Sequence, residues 1–150
     1  MPFSSESFTA ISHSDVLCCL EDKLTVLQEC RRVINADGRM CFTVIRLADG
    51  LKGTAMERAV QAGPEFIHSE THYPSMLQSA GWQTIQQDDI TGAFCASIER
   101  MIAAEEKQSE SLRALRGNEA NETAQANWRY KLQAVADGLI LREFFSVVPA

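Results

Sequence analysis

The sequence lacks several features that would assign a function at once. It has no G-x-G triplet among its 8 glycines, so it contains no glycine-rich loop of the kind that binds nucleotides. Its 5 cysteines form no C-x-x-C pair, and no apolar run is long enough to span a membrane. The basic residues form no block and the formal net charge is −6, which argues against a nucleic-acid partner. The N-terminus also lacks the basic and apolar regions of a signal peptide, so we expect a cytoplasmic protein.

The composition that remains is typical of a globular domain. The chain has 150 residues and a hydrophobic content of 45%, which suffices for one domain with a substantial core. No internal repeat or low-complexity linker divides it, so we expect a single domain over residues 1–150. We interpret the cysteines as reduced thiols.

The most informative stretch is 7–45, which predicts a βαβ unit. Phe8–Ile11 is a short apolar strand, and Ser12–Asp15 is a polar loop at its carboxyl end. A helix follows, with Asp22 as its N-cap and Gly38 at its end. The next run, Met40–Ile45, is almost wholly apolar. Such a run is typical of a strand covered on both faces, so we expect the two strands to be parallel.

The remainder alternates helices and strands. We predict helices at Thr54–Ala62 and Tyr73–Ala80, and a weakly hydrophobic strand at Trp82–Gln87 in an exposed edge or near-edge position. A helical pair spanning about 91–136 and a last strand at Leu139–Val148 follow.

Four segments resemble class I S-adenosylmethionine-dependent methyltransferases of the small-molecule type. Residues 8–11 read F-T-A-I, 15–20 read D-V-L-C-C-L and 32–39 read R-V-I-N-A-D-G-R. They resemble, in order and spacing, the family's F-D-x-I, D-x-L-x-H-L and R-V-L-K-P-G-G-R segments. Y-P-S-M-L-Q-S-A-G-W at 73–82 is similar to the family's L-L-x-x-A-G-F element. The chain departs from the family at Thr9, where an acidic residue is usual, and at Cys18-Cys19, where a histidine is common.

The resemblance implies an α/β fold that matches the C-terminal half of the family's domain. We expect a partial Rossmann-like sheet, mainly parallel with one antiparallel strand from the C-terminus, and a helical pair inserted before that strand. The implied activity is methyl transfer from S-adenosylmethionine to a small molecule. The family's glycine-rich cofactor loop and acidic ribose-binding residue should lie upstream, so the cofactor-binding half is missing. The alternatives are a truncated, non-catalytic protein that binds a small ligand or a partner, and an unrelated α/β interaction domain.

The candidate catalytic residue is His13. Its loop lies where α/β folds bind ligands, and an imidazole there could orient a nucleophile or accept its proton. The resemblance implies cofactor contacts from Phe3, Ser12 and His13. The structural alternative is a polar strand-end histidine hydrogen-bonded to the backbone.

A substrate pocket is predicted from five residues. They are Asp15, Cys18, His72, Tyr73 and Trp128. Each has a structural alternative: Asp15 as the cap of the turn at 16–20, Cys18 and the aromatic residues as core, and His72 as a loop residue. His68 and His72 are four residues apart, but no third ligand follows, so no metal site is predicted.

The strand Phe8–Ile11 is expected to form an exposed sheet edge. Unpaired backbone on an apolar strand favours pairing with another chain. We therefore expect a homodimer or a complex with a separate partner chain through this edge, in addition to the small-molecule acceptor.

Overall fold

A computed structural model describes all residues from Met1 to Ala150. The chain forms two compact units, and each is described by itself. The first consists of Met1–Arg46, Pro64–Asp89 and Arg142–Ala150, and the second of Leu47–Gly63 and Ile90–Leu141. The expectation of a single domain over the whole chain stays a prediction.

Four strands and six α-helices make up the chain. The strands are β1 (Phe8–Ser14), β2 (Ile34–Leu47), β3 (Trp82–Asp89) and β4 (Ile140–Pro149). The helices are α1 (Lys23–Val33), α2 (Gly53–Ala62), α3 (Tyr73–Ser79), α4 (Thr91–Lys107), α5 (Ser109–Arg116) and α6 (Asn118–Ala136), and a short 3-10 turn spans Leu17–Cys19.

The strands form one mixed sheet in the order β1-β2-β4-β3. β1 and β2 are parallel, with His13 opposite Phe42 and Ser14 opposite Thr43. β4 is antiparallel to its neighbours, so β1, β2 and β3 point in the same direction. This confirms the predicted α/β fold with one antiparallel strand from the C-terminus. β1 and β3 are the two edges, and the edge position of β3 was also predicted.

Two predicted boundaries in the βαβ unit are wrong. Ser12–Ser14 belong to β1 rather than to a loop, because they pair with β2. The helix α1 ends at Val33 instead of Gly38, since Ile34 is already extended and starts β2. Gly38 lies inside β2, where an added Cβ would come within 2.4 Å of Ile34 Cγ1. Gly38 is therefore the residue that lets the Ile34 side chain pack against the β2 backbone, and it does not end a helix.

The chain between β3 and β4 contains three helices instead of the predicted pair. A turn at Gln108 separates α4 from α5, and Gly117, with φ of +83°, separates α5 from α6. The polar stretch 105–110 therefore contains a break, where the sequence indicated one continuous helix with a solvated face.

In the first unit, α1 and α3 pack against each other and α3 packs against β3. The carboxylate of Asp22 accepts a hydrogen bond from the Thr25 amide at 3.0 Å, which confirms the predicted N-cap of α1. The buried Trp82 indole donates to the Leu27 carbonyl at 3.0 Å and ties β3 to α1. These contacts hold α1, α3 and β3 together.

In the second unit, α6 packs against α2, α4 and α5. Asn121, which is 1% exposed, accepts two hydrogen bonds from Arg116, and Arg116 also pairs with Glu105 at 2.7 Å. None of the helices combines the length and the apolar character that a membrane crossing requires.

Candidate functional site

A cluster of hydrogen-bonded polar side chains lies at the carboxyl end of β1. Asp15 follows the strand with φ of +53°, and its amide still donates to the Thr43 carbonyl at 2.9 Å. Its carboxylate accepts from Thr43 Oγ1 at 3.0 Å and from Arg142 Nε at 3.1 Å. Arg142 Nη2 approaches the other carboxylate oxygen to 2.8 Å and also donates to Ser14. The Asp15 carboxylate is thus an ion-pair partner, and it does not cap the following turn.

A row of aromatic side chains crosses the opposite face of the sheet, because His13 and Phe42 directly precede Ser14 and Thr43 in their strands. The His13 ring stacks on Phe42 with centroids 4.9 Å apart, and Phe42 stacks on Phe145 at 5.1 Å. Tyr73, from the start of α3, lies 6.3 Å from the same Phe145 ring. We call His13, Phe42, Phe145 and Tyr73 the aromatic row. It brings together two of the predicted site residues, His13 and Tyr73.

The polar atoms of the aromatic row are buried without hydrogen-bond partners. This holds for both ring nitrogens of His13 and for the hydroxyl of Tyr73. An unsatisfied buried donor or acceptor costs about 1–3 kcal/mol. Such groups are rare in native proteins and call for an explanation. The hydrogen bond to backbone that would make His13 a purely structural residue is absent.

Burial sets the protonation states in the row. It lowers the pKa of His13 below its usual 6.5, an effect that the nearby Asp15 carboxylate partly opposes. Burial also raises the pKa of Tyr73. At neutral pH the row therefore presents a neutral imidazole, with one accepting nitrogen, and a protonated phenol.

The structure places the other predicted residues of the first unit as follows. Phe3 is 49% exposed and meets Phe8 edge-on at 5.0 Å. Ser12 is an exposed residue of β1, and exposed His72 directly precedes α3. Cys18 is buried and donates to the Asp15 carbonyl at 3.2 Å. Burial raises the pKa of the Cys18 thiol to about 11, so it stays protonated and unreactive.

Trp128 belongs to the second unit. It lies on α6 and is partly exposed, with Lys131 Nζ at 5.4 Å from its ring centre. Among the described residues, no three His, Cys, Asp or Glu side chains are grouped to hold a metal ion.

Sequence reasoning missed the partners that β2 and β4 contribute. Thr43 and Arg142 complete the polar cluster, while Phe42 and Phe145 form the centre of the aromatic row. One signal was available: two charged residues, Arg142 and Glu143, interrupt the most apolar stretch at the C-terminus. Glu143 is only 6% exposed, and its carboxylate forms an ion pair with Arg46, with Oε2 and Nε 2.8 Å apart.

Comparison with known proteins gives one family and several related structures. A sequence model of a methyltransferase domain matches residues 1–42. Phosphoethanolamine N-methyltransferase of Triticum aestivum is 21% identical over 136 residues, which cover 91% of this chain and 27% of that protein.

Two solved structures share the fold at low sequence identity. A candidate sarcosine dimethylglycine methyltransferase from Galdieria sulphuraria has a TM-score of 0.87 and 19% identity, with 99% of this chain and 55% of that chain covered. Haemonchus contortus phosphoethanolamine N-methyltransferase 2, solved with phosphomonomethylethanolamine and S-adenosylhomocysteine, has a TM-score of 0.84 and 18% identity, with 98% and 35% covered. The chain therefore spans from about a quarter to about half of the relatives it matches. These matches confirm the family resemblance that the sequence predicted.

Proposed function

We propose that this chain, which has the fold of class I S-adenosylmethionine-dependent methyltransferases, contributes the acceptor side of a site that methylates a small molecule. The observation that carries the proposal is the aromatic row, where His13 and Tyr73 present buried polar atoms without protein partners. A bound acceptor with a hydroxyl or amino group would satisfy them.

S-adenosylmethionine, when bound, supplies an electrophilic methyl group on a sulfonium ion. The residues of this chain that would border it are Phe3 and Ser12, whose side chains are exposed beside β1. They fit only the rim of such a site, because the chain has no glycine-rich loop to hold the rest of the cofactor. In a cofactor-bound complex, the remaining contacts would come from residues outside this chain.

The chain's own contribution is to orient the acceptor and to take its proton. With the cofactor bound, the acceptor oxygen or nitrogen would be the nucleophile toward its methyl group, and the sulfonium sulfur would be the leaving group. The acceptor then loses a proton, which His13 can take because burial keeps its imidazole neutral. The protonated Tyr73 hydroxyl can donate a hydrogen bond that orients the acceptor.

The test is calorimetric titration of the chain with S-adenosylmethionine and S-adenosylhomocysteine. Measurable binding, together with S-adenosylhomocysteine formation from small amines and alcohols, supports the proposal. His13→Gln should reduce turnover by about 100-fold or more, the usual contribution of a general base. No heat at millimolar ligand would exclude cofactor binding, and therefore methyl transfer, by this chain alone.

The exposed edge of β1 supports a further element of the proposal, a homodimer. β1 reads F-T-A-I-S-H-S, with no lysine, carboxylate or proline to block pairing, whereas the opposite edge strand β3 ends in Asp88 and Asp89. Uncharged, unpaired edges recruit further strands. A second copy of this chain therefore pairs along β1.

The proposed location is the cytoplasm. All five cysteines are free thiols in the structure, which suits a reducing compartment.

A further inference from the structure

A second candidate binding site lies in the first unit, away from the aromatic row. It is a cavity of about 370 Å³ between the start of α1, residues 68–71 and α3. Its wall includes Glu21, Lys23, Leu24, Glu70 and Met76, and it shares no residue with the row. The volume is at the small end of the range for ligand pockets, which is about 300–1,000 Å³.

Lys23 places an unpaired cation in the wall of this cavity. Its side chain is only 5% exposed, and Nζ donates to the carbonyls of Leu20 at 3.0 Å and His68 at 3.3 Å. No carboxylate pairs with it. An ammonium group has three donors, so one N–H is left without a protein acceptor. Because buried charges are normally paired, an anionic group bound in the cavity would supply the counter-charge and the third acceptor that Lys23 lacks.

Two carboxylates and two apolar side chains also line the cavity, together with the polar residues His68, Ser69, Thr71 and Ser79. Glu21 and Glu70 are exposed, and neither forms an ion pair with a protein group. Leu24 is 38% exposed and Met76 is 6% exposed. The two carboxylates would repel a simple anion, and Lys23 would repel a simple cation. A ligand that carries both charges and an apolar group matches all of these contacts.

We propose that this cavity binds a small zwitterion, an α-amino acid with an apolar side chain. The carboxylate accepts from Lys23, the ammonium group lies between Glu21 and Glu70, and the side chain packs against Leu24 and Met76. The proposal does not depend on methyl transfer, because the binding measurement requires no S-adenosylmethionine.

The test uses L-leucine and two analogues that each lack one charge. Leucinamide has no carboxylate, and 4-methylpentanoate has no ammonium group. Calorimetric titration should show leucine binding, with each analogue at least about tenfold weaker. Backbone amide shifts at Lys23 and Glu70 on addition of leucine should place the ligand in the cavity. No heat with millimolar leucine, or equal affinity for the three compounds, would overturn the proposal.

Two variants assign the charges separately. Lys23→Met should remove the preference for leucine over leucinamide. The control is Lys52→Met, at an exposed lysine of the second unit, which should leave this preference unchanged. Glu70→Gln should weaken the preference for leucine over 4-methylpentanoate. Glu70 is an exposed loop residue, so this variant still tests the proposal if Lys23→Met fails to fold. Unchanged preferences in Glu70→Gln would contradict it.

Discussion

Arg142 and Asp15 are 127 residues apart in the sequence, yet two contacts of 2.8 and 3.1 Å join their guanidinium and carboxylate groups. Arg142 comes from β4 and Asp15 from the end of β1, so the pair spans the intervening strand β2. Thr43 of β2 bonds to both. The pair therefore links β1, β2 and β4 at the carboxyl end of β1.

Replacing Arg142 should destabilise the first unit. The side chains of Arg142 and Asp15 are 21% and 25% exposed, so Arg142→Met leaves a largely desolvated carboxylate without its counter-ion. We expect the free energy of unfolding to fall by about 1–3 kcal/mol, measured by urea denaturation. Arg129→Met is the matched control, because the Arg129–Glu106 pair is 55% and 51% exposed and should cost less than about 1 kcal/mol. Equal losses of unfolding free energy in the two variants would show that the Arg142–Asp15 pair stabilises the protein no more than an exposed ion pair does.

Acidification should destabilise the protein through His13. Burial lowers the pKa of folded His13 below 6.5, its value in an unfolded chain, so below that pH the unfolded chain binds a proton that the folded chain excludes. The contribution of His13 to stability is complete above about pH 6.5 and is lost as the pH falls toward the lower folded pKa.

Urea denaturation across this pH range measures the effect. His13→Gln should flatten the dependence, whereas His68→Gln, at an exposed loop position, should not. A wild-type pH slope retained in His13→Gln would exclude His13 as its cause. An NMR titration of the His13 ring protons should independently give a midpoint below 6.5.

Gly38 should not tolerate even one added carbon. A Cβ there would come within 2.4 and 2.8 Å of Ile34 Cγ1 and Cδ1, and Ile34 is fully buried. Gly38→Ala should therefore lower the free energy of unfolding by about 1–3 kcal/mol, the usual cost of overpacking.

Gly92→Ala is the control for Gly38. Gly92 lies in α4 with nothing within 4 Å of its added Cβ, so alanine there should be neutral or stabilising by about 0.5–1 kcal/mol. Thermal unfolding of both variants is sufficient to compare them. A Gly38→Ala variant as stable as the wild type would mean that β2 can shift to make room.

Local sequence rules predicted the elements of the fold better than the contacts of the site. Asp22 caps α1 and the run Met40–Ile45 lies within β2, because capping and apolar patterning act within a few residues. Gly38 misled the prediction, since its function depends on the side chain of Ile34 and not on a helix end. The apolar run also predicted the parallel pairing of β1 and β2, while the resemblance to a known family supplied the antiparallel direction of β4.

The candidate site could be predicted only in part, because its partners come from distant strands. His13 and Tyr73 were candidates as polar or aromatic residues at element ends. Phe42 and Phe145, which link them, look in sequence like ordinary core residues, and only the strand order β1-β2-β4 aligns them. The role of Arg142 likewise follows from tertiary structure, since no sequence spacing relates it to Asp15.

A charge placed on β1 should dissociate the proposed homodimer. Size-exclusion chromatography with light scattering should give a dimer mass for the wild type at micromolar concentration. Thr9→Lys should shift it to a monomer, because lysines on an edge strand oppose strand pairing. Gln83→Lys, on the opposite edge strand β3, should leave the dimer intact. Both positions are exposed, so neither variant should change the free energy of unfolding of the monomer by more than about 0.5 kcal/mol. A wild-type chain that stays monomeric, or one that associates only with a different protein, would exclude self-pairing along β1.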